Sequence, residues 1–166
     1  QGNGHAASTK LPVRWTDVEN AAWKTRIHDR GWSSPVITGD QIWLTTATLD
    51  GKQLFAVCVD KKDGRILFDR KIISVEQPQK ISSANTYATP TPVIDGNLVF
   101  VHFGTYGTAC LETETGKILW TRQDLKCDHE TNAGPASSPT LIGDQLIVHV
   151  DGRDVQYLIS LDKTSG

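Results

Sequence analysis

"CLETETGKILW", residues 110–120, returns as "CVDKKDGRILF" at 58–68 and as "SLDKTSG" at 160–166. Aligned on Gly64, Gly116 and Gly166, the three copies lie 52 and 50 residues apart. A second block precedes each copy: "SSPVITGDQIWLTTA" (33–47), "PTPVIDGNLVFVHFG" (90–104) and "SSPTLIGDQLIVHVD" (137–151). Two matching blocks in fixed order define a repeat, and a period near 50 residues points to stacked supersecondary units.

Each unit reads as four short strands separated by turn residues. The first strands are expected at Val36–Thr38, Val93–Ile94 and Thr140–Ile142, and the second at Ile42–Thr46, Leu98–Phe103 and Leu146–Val150. The third fall at Leu54–Asp60, Thr108–Glu112 and Tyr157–Asp162, and a fourth follows the turn glycine. No stretch keeps a helical period over three turns. The expectation is therefore all-β: a β-propeller of four-stranded antiparallel blades, about three of them present, each burying its faces against its neighbours. Residues 1–32 would form a preceding strand and connector, 33–80 and 81–126 two blades, and 127–166 an incomplete third. An incomplete ring would expose inter-blade faces and favour self-association.

The 166 residues are 38% hydrophobic and 22% charged, the profile of one globular domain. A formal charge of −2 with Lys and Arg scattered singly excludes a nucleic-acid footprint. No apolar run is long enough for membrane insertion as a helix, and Gln1–His5 lack the basic and apolar regions of a secretion signal. Three cysteines without a C-x-x-C pair indicate neither a disulfide framework nor a zinc ribbon. Cys58, Cys110 and Ser160 share one repeat position, which predicts a packing role beside a bulky neighbour. Phe68 and Trp120 sit four residues after turn glycines, and Trp23 reads as their equivalent on a preceding fourth strand. All three are expected to pack between sheets.

The pattern small-x-Asp-x-x-Thr-Gly-Lys-x-x-Trp resembles the tryptophan-docking motif of pyrroloquinoline-quinone-type β-propeller repeats. Residues Cys110–Trp120 match it best, with Glu112 for the usual Asp. The resemblance implies structural roles for Gly116, Trp120, Gly64 and Phe68, although Phe68 has no indole N–H to donate. "HDRGWSSPV", "HFGTYGTACLETETGKILW" and "LKCDHETNAGPASSP" look like large propeller-repeat proteins of planctomycete-type bacteria. A periplasmic or otherwise extracytoplasmic bacterial protein is implied.

In a propeller, the connections from fourth to first strand and from second to third strand share one face, and loops on a rigid scaffold are where binding resides. Here those loops carry His28, Arg30, Trp32, Asn85, Tyr87, Tyr106, His129, Asn132 and Arg153, the candidate binding residues. The run Cys127-Asp128-His129-Glu130 offers four potential metal ligands, but an extended chain points consecutive side chains to opposite sides, so no metal site is expected. His102 and His149 share a repeat position, from which two such rings could line a channel; the favoured expectation is that each satisfies a backbone carbonyl. No Gly-x-Ser-x-Gly elbow or phosphate loop occurs, and no catalytic residue is assigned.

The expected function is a non-catalytic scaffold binding a protein or cell-surface macromolecule through its loop face, with no cofactor. Two alternatives stay open: a quinoprotein dehydrogenase using pyrroloquinoline quinone and calcium, against which stands the lack of adjacent cysteines, and a sensor domain attached to a kinase or other enzyme.

Overall fold

The computed structural model describes residues 12–129 and 132–166. Glu130 of the ligand run, the Gln1–His5 segment and part of the expected connector therefore lie outside the described residues. Among the described residues, eleven strands form three antiparallel sheets: β1 (Val36–Thr38), β2 (Gln41–Ala47), β3 (Gln53–Asp60) and β4 (Ile66–Ser74) in the first; β5 (Val93–Asp95), β6 (Leu98–His102), β7 (Thr108–Glu112) and β8 (Ile118–Arg122) in the second; β9 (Thr140–Ile142), β10 (Gln145–Asp151) and β11 (Gln156–Asp162) in the third. Strands pair in chain order within each sheet, as in three blades of a β-propeller that do not close into a ring. The expected strands are present to within a residue or two at each end. A short 3₁₀ turn at Gly104–Tyr106 joins β6 to β7.

Period-two alternation decides which sheet each side chain meets. From β6, Val99 and Val101 join Trp43, Leu54, Ala56 and Cys58 of the first sheet in one core. Phe100, on the opposite face, joins Leu146, Val148 and Val150 of the third sheet in the other. The middle sheet is thus buried on both faces, whereas β10 alternates buried and solvent-facing residues. His102 and His149 diverge for this reason. His102 is buried beneath the third sheet, while no sheet among the described residues covers His149, which is exposed.

The cysteines occupy the packing position expected of them. Cys58 stands opposite Trp43 and Phe68, whose rings stack 5.9 Å apart; Cys110 stands opposite Phe100 and Trp120, 6.0 Å apart. Burial pushes both thiols up to about 12, so neither supplies a thiolate near neutral pH.

Adjacent blades are joined by a three-part dock. Each ring lies over the turn glycine of the next blade: Trp23 over Gly64, Phe68 over Gly116, Trp120 over Gly166. All three glycines have positive φ, and a Cβ at Gly116 would come within 2.8 Å of the Phe68 ring, so both the turn and the ring demand glycine. The indole N–H donates to the carbonyl three residues before that glycine, Trp23 to Lys61 at 2.9 Å and Trp120 to Lys163 at 3.1 Å. Two residues beyond each ring, Thr25, Arg70 and Arg122 donate to the carbonyls of Gly64, Gly116 and Gly166. Trp23 docks as expected, but its segment forms no strand among the described residues, having no ladder partner beside it.

Phe68 cannot donate, and Gln41 takes over. Its Nε2 donates to the Thr113 carbonyl at 2.7 Å, the position the indole serves elsewhere, and its Oε1 accepts from Trp43 Nε1 at 3.1 Å. Gln41→Leu, which copies Leu98 at the equivalent position, is expected to cost about 1–2 kcal/mol by stranding the Thr113 carbonyl. Adding Phe68→Trp should restore most of that loss in chemical denaturation; no rescue would refute the substitution of one donor for the other.

A second series runs along the inner strands. Ser34, Thr91 and Ser138 each precede the proline that opens a blade. Ser34 N–H donates to Thr91 Oγ1 at 3.1 Å, and Thr91 N–H to Ser138 Oγ at 2.9 Å. The hydroxyl in the repeat is therefore an inter-blade acceptor.

Candidate functional site

Among the described residues, two isolated β-bridges organise the loop face, Arg30 with Ala47 and His129 with Gly152, each tying an entry loop to the end of a second strand or the turn after it. Entry loops are also tied to one another. Trp32 and Ser33 N–H both donate to the Ala88 carbonyl, and Asn85 Nδ2 donates to the carbonyls of Ala133 at 2.7 Å and Pro135 at 3.2 Å.

These ties divide the nine candidate residues. Asn85 is a clasp between loops, its Oδ1 also accepting from Thr86 N–H and the Thr89 hydroxyl. Tyr87 and Tyr106 are buried at 8% and 4% exposure, with their hydroxyls on the backbone of Gln79. Their rings meet edge to face at 5.7 Å, and Tyr106 meets His129 in the same way at 5.6 Å, so Tyr87, Tyr106 and His129 form one aromatic row. Desolvation raises both phenol pKa values. Arg153 is exposed and pairs with Asp128 at 3.2 Å, and Asn132 is exposed with positive φ.

His28 stands apart, between Asp29 at 2.7 Å and Asp69 of β4 at 3.1 Å, with its ring edge on Phe55. Partial burial alone would lower its pKa, but the hydrogen bonds and charges of the two carboxylates outweigh that and raise it above the ordinary 6.5. Its stabilisation is therefore complete below about pH 6.5 and lost as pH rises through the raised value. Asp69→Asn should move the His28 titration midpoint down in an NMR titration; an unmoved midpoint would show that Asp69 does not hold the ring.

Arg30 and Trp32 are presented to solvent. Trp32 is 50% exposed with the Arg30 guanidinium 5.2 Å from its ring centre, and Leu49, 77% exposed, shares a small cleft with Arg30, Ile81 and Asn85.

The ligand run alternates as an extended chain must: Cys127 in, Asp128 out, His129 in. Among the described residues no three His, Cys, Asp or Glu side chains converge to hold an ion. His102 corrects the expectation of a carbonyl partner: its Nδ1 is 2.8 Å from the Thr108 hydroxyl on the facing strand, because the ring points into the sheet interface rather than along the backbone. Both it and His149, whose Nδ1 lies 3.4 Å from Ser137 Oγ, line a cavity of about 110 Å³ with Leu125, Cys127, His129, Pro135 and Val150. Spacing alone gave no signal for this cavity, nor for Gln79, whose amide bonds Cys127 O and His129 N–H.

The family model described as outer membrane protein assembly factor BamB matches residues 8–166. No curated protein sequence matches the chain. Among solved structures, a europium-containing methanol dehydrogenase is similar over 78% of this chain at 16% identity and a TM-score of 0.61, and BamB from Moraxella catarrhalis over 88% at 19% identity and 0.53. Quinohemoprotein alcohol dehydrogenase from Comamonas testosteroni is similar over 83% at 13% identity and 0.58. The chain spans 22%, 38% and 20% of the lengths of those three structures. At such identities the likeness is one of fold.

Proposed function

Because the chain belongs to the outer membrane protein assembly factor BamB family, we propose that it is part of a non-catalytic propeller scaffold that holds a protein partner on its loop face, outside the cytoplasm. The observation that supports this reading is the Arg30–Trp32–Leu49 patch. Trp and Arg are the side chains most enriched at binding hot spots, and here a rigid ring, a guanidinium and an aliphatic side chain stand exposed on hydrogen-bonded loops. The neighbouring aromatic row keeps those loops fixed, so little ordering remains to be done on binding.

The test uses the intact protein in cells, with a photo-crosslinking residue at Leu49 or, as control, at Ile142, exposed beside the Gly143 turn at the other end of the strands. One protein should be captured at 49 and not at 142, and Trp32→Ala should lower the capture about tenfold, the effect of losing a hot spot worth roughly 1–2 kcal/mol. Equal capture at both positions, or capture indifferent to Trp32, would refute the assignment. Titration with pyrroloquinoline quinone and calcium separates the dehydrogenase alternative. The sequence has no adjacent cysteines, and the described residues bring no three potential ion ligands together. Micromolar binding would nevertheless replace the scaffold reading.

A further inference from the structure

His129 is fixed and unspent. It is 7% exposed, its backbone N–H is held by Gln79 Oε1 at 2.9 Å, and its ring is braced edge-on by Tyr106, yet neither ring nitrogen has a hydrogen-bond partner among the described residues. Gly104 closes over it: a Cβ there would lie 3.3 Å from His129 Nε2 and 2.8 Å from Pro135 Cβ. Buried polar groups without partners are rare, and one lining an open cavity is a place for a ligand to supply the missing bond. His102 lines the same cavity, with only its Nδ1 engaged among the described residues, and Leu125, Pro135 and Val150 give it apolar walls.

The chemistry of the walls selects the ligand. Desolvation lowers the pKa of both His102 and His129, so each imidazole is neutral and offers one donor and one acceptor. Among the described residues, an anion would find the Asp151 carboxylate and no Lys or Arg in the lining, and no three ion ligands converge there. At about 110 Å³ the space is below that of a drug-sized ligand yet holds several waters' worth of volume, the scale of a single side chain. A phenol matches it: its hydroxyl both donates and accepts, and its ring lies against apolar walls.

We propose that this cavity receives a tyrosine side chain of the protein partner, its hydroxyl hydrogen-bonded to His129. The proposal rests on the scaffold reading, because the phenol is presented by the partner that the loop face holds.

The probe is p-cresol, compared with toluene, added to the intact protein and followed by the His129 ring signals in NMR. p-Cresol should bind at least tenfold more tightly than toluene and shift those signals. His129→Gln, which keeps a donor and an acceptor, should retain the preference, and His129→Phe should abolish it. Equal binding of the two probes, or a preference untouched by His129→Phe, would overturn the proposal. p-Cresol should also lower partner capture from position 49. Capture that p-cresol leaves unchanged overturns the tyrosine proposal alone, whereas a protein that binds p-cresol but captures no partner sinks the scaffold reading and the partner's tyrosine with it.

Discussion

Gly116→Ala is expected to destabilise the protein by about 2–4 kcal/mol, while Gly96→Ala costs only about 1 kcal/mol. Both glycines are left-handed, with φ of 66° and 56°, so the backbone term is common to them. They differ in what a methyl group would meet. At Gly96 nothing lies within 4 Å, whereas at Gly116 the methyl would press on Phe68 Cγ at 2.8 Å and approach Arg70 Nε at 3.2 Å. A ring wedged between two sheets cannot retreat without opening the core that Trp43 and Phe68 share. The difference between the two variants in chemical denaturation therefore measures the dock itself. Pairing Gly116→Ala with Phe68→Leu should recover much of the excess, since neighbours in contact are not additive. Equal losses at Gly96 and Gly116 would mean that the dock contributes nothing beyond the turn.

The second large effect is acid sensitivity. Burial holds the His102 imidazole down to about 4, against 6.5 for an exposed ring. Because the folded state binds the proton less well than the unfolded state, the contribution is complete above about pH 6.5 and is lost as pH falls from there to about 4. The loss amounts to about 3 kcal/mol at 1.36 kcal/mol per pH unit. His129, also lowered by desolvation, acts in the same direction. His102→Gln removes this titration and can still meet the Thr108 hydroxyl, so its stability should fall less than that of the unsubstituted protein between pH 7 and pH 4.5. Parallel pH profiles for the two proteins would show that the ring is not the acid-sensitive group.

The blades were legible because their determinants are local. The short apolar, β-rich runs of β6 and β10, the Gly-Asp and Asp-Gly-Asn turns, and the recurrence of Gly64, Gly116 and Gly166 at about 50 residues are all visible along the chain. The packing role of Cys58 and Cys110 follows from the same register, since each sits two residues before the acidic end of its strand, between two rings. The fate of the loop side chains was not visible there. Tyr87 and Trp32 occupy similar entry loops, yet Tyr87 is sealed over Gly51 with its hydroxyl on Gln79, while Trp32 keeps half its surface in solvent.

By itself, then, the sequence determined the all-β repeat, the turns and the docking positions, since period-two burial and glycine's access to positive φ act over a few residues. Only the tertiary structure decided that Gln41 donates where Phe68 cannot, that His102 is covered while His149 is not, and that His129 sits unpartnered among the described residues. Each of those outcomes depends on a group brought close from the next blade or an adjoining loop: Thr113 lies 72 residues from Gln41, and Gln79 lies 50 from His129. Contacts across a sheet interface are set by how whole blades pack, which no local pattern encodes.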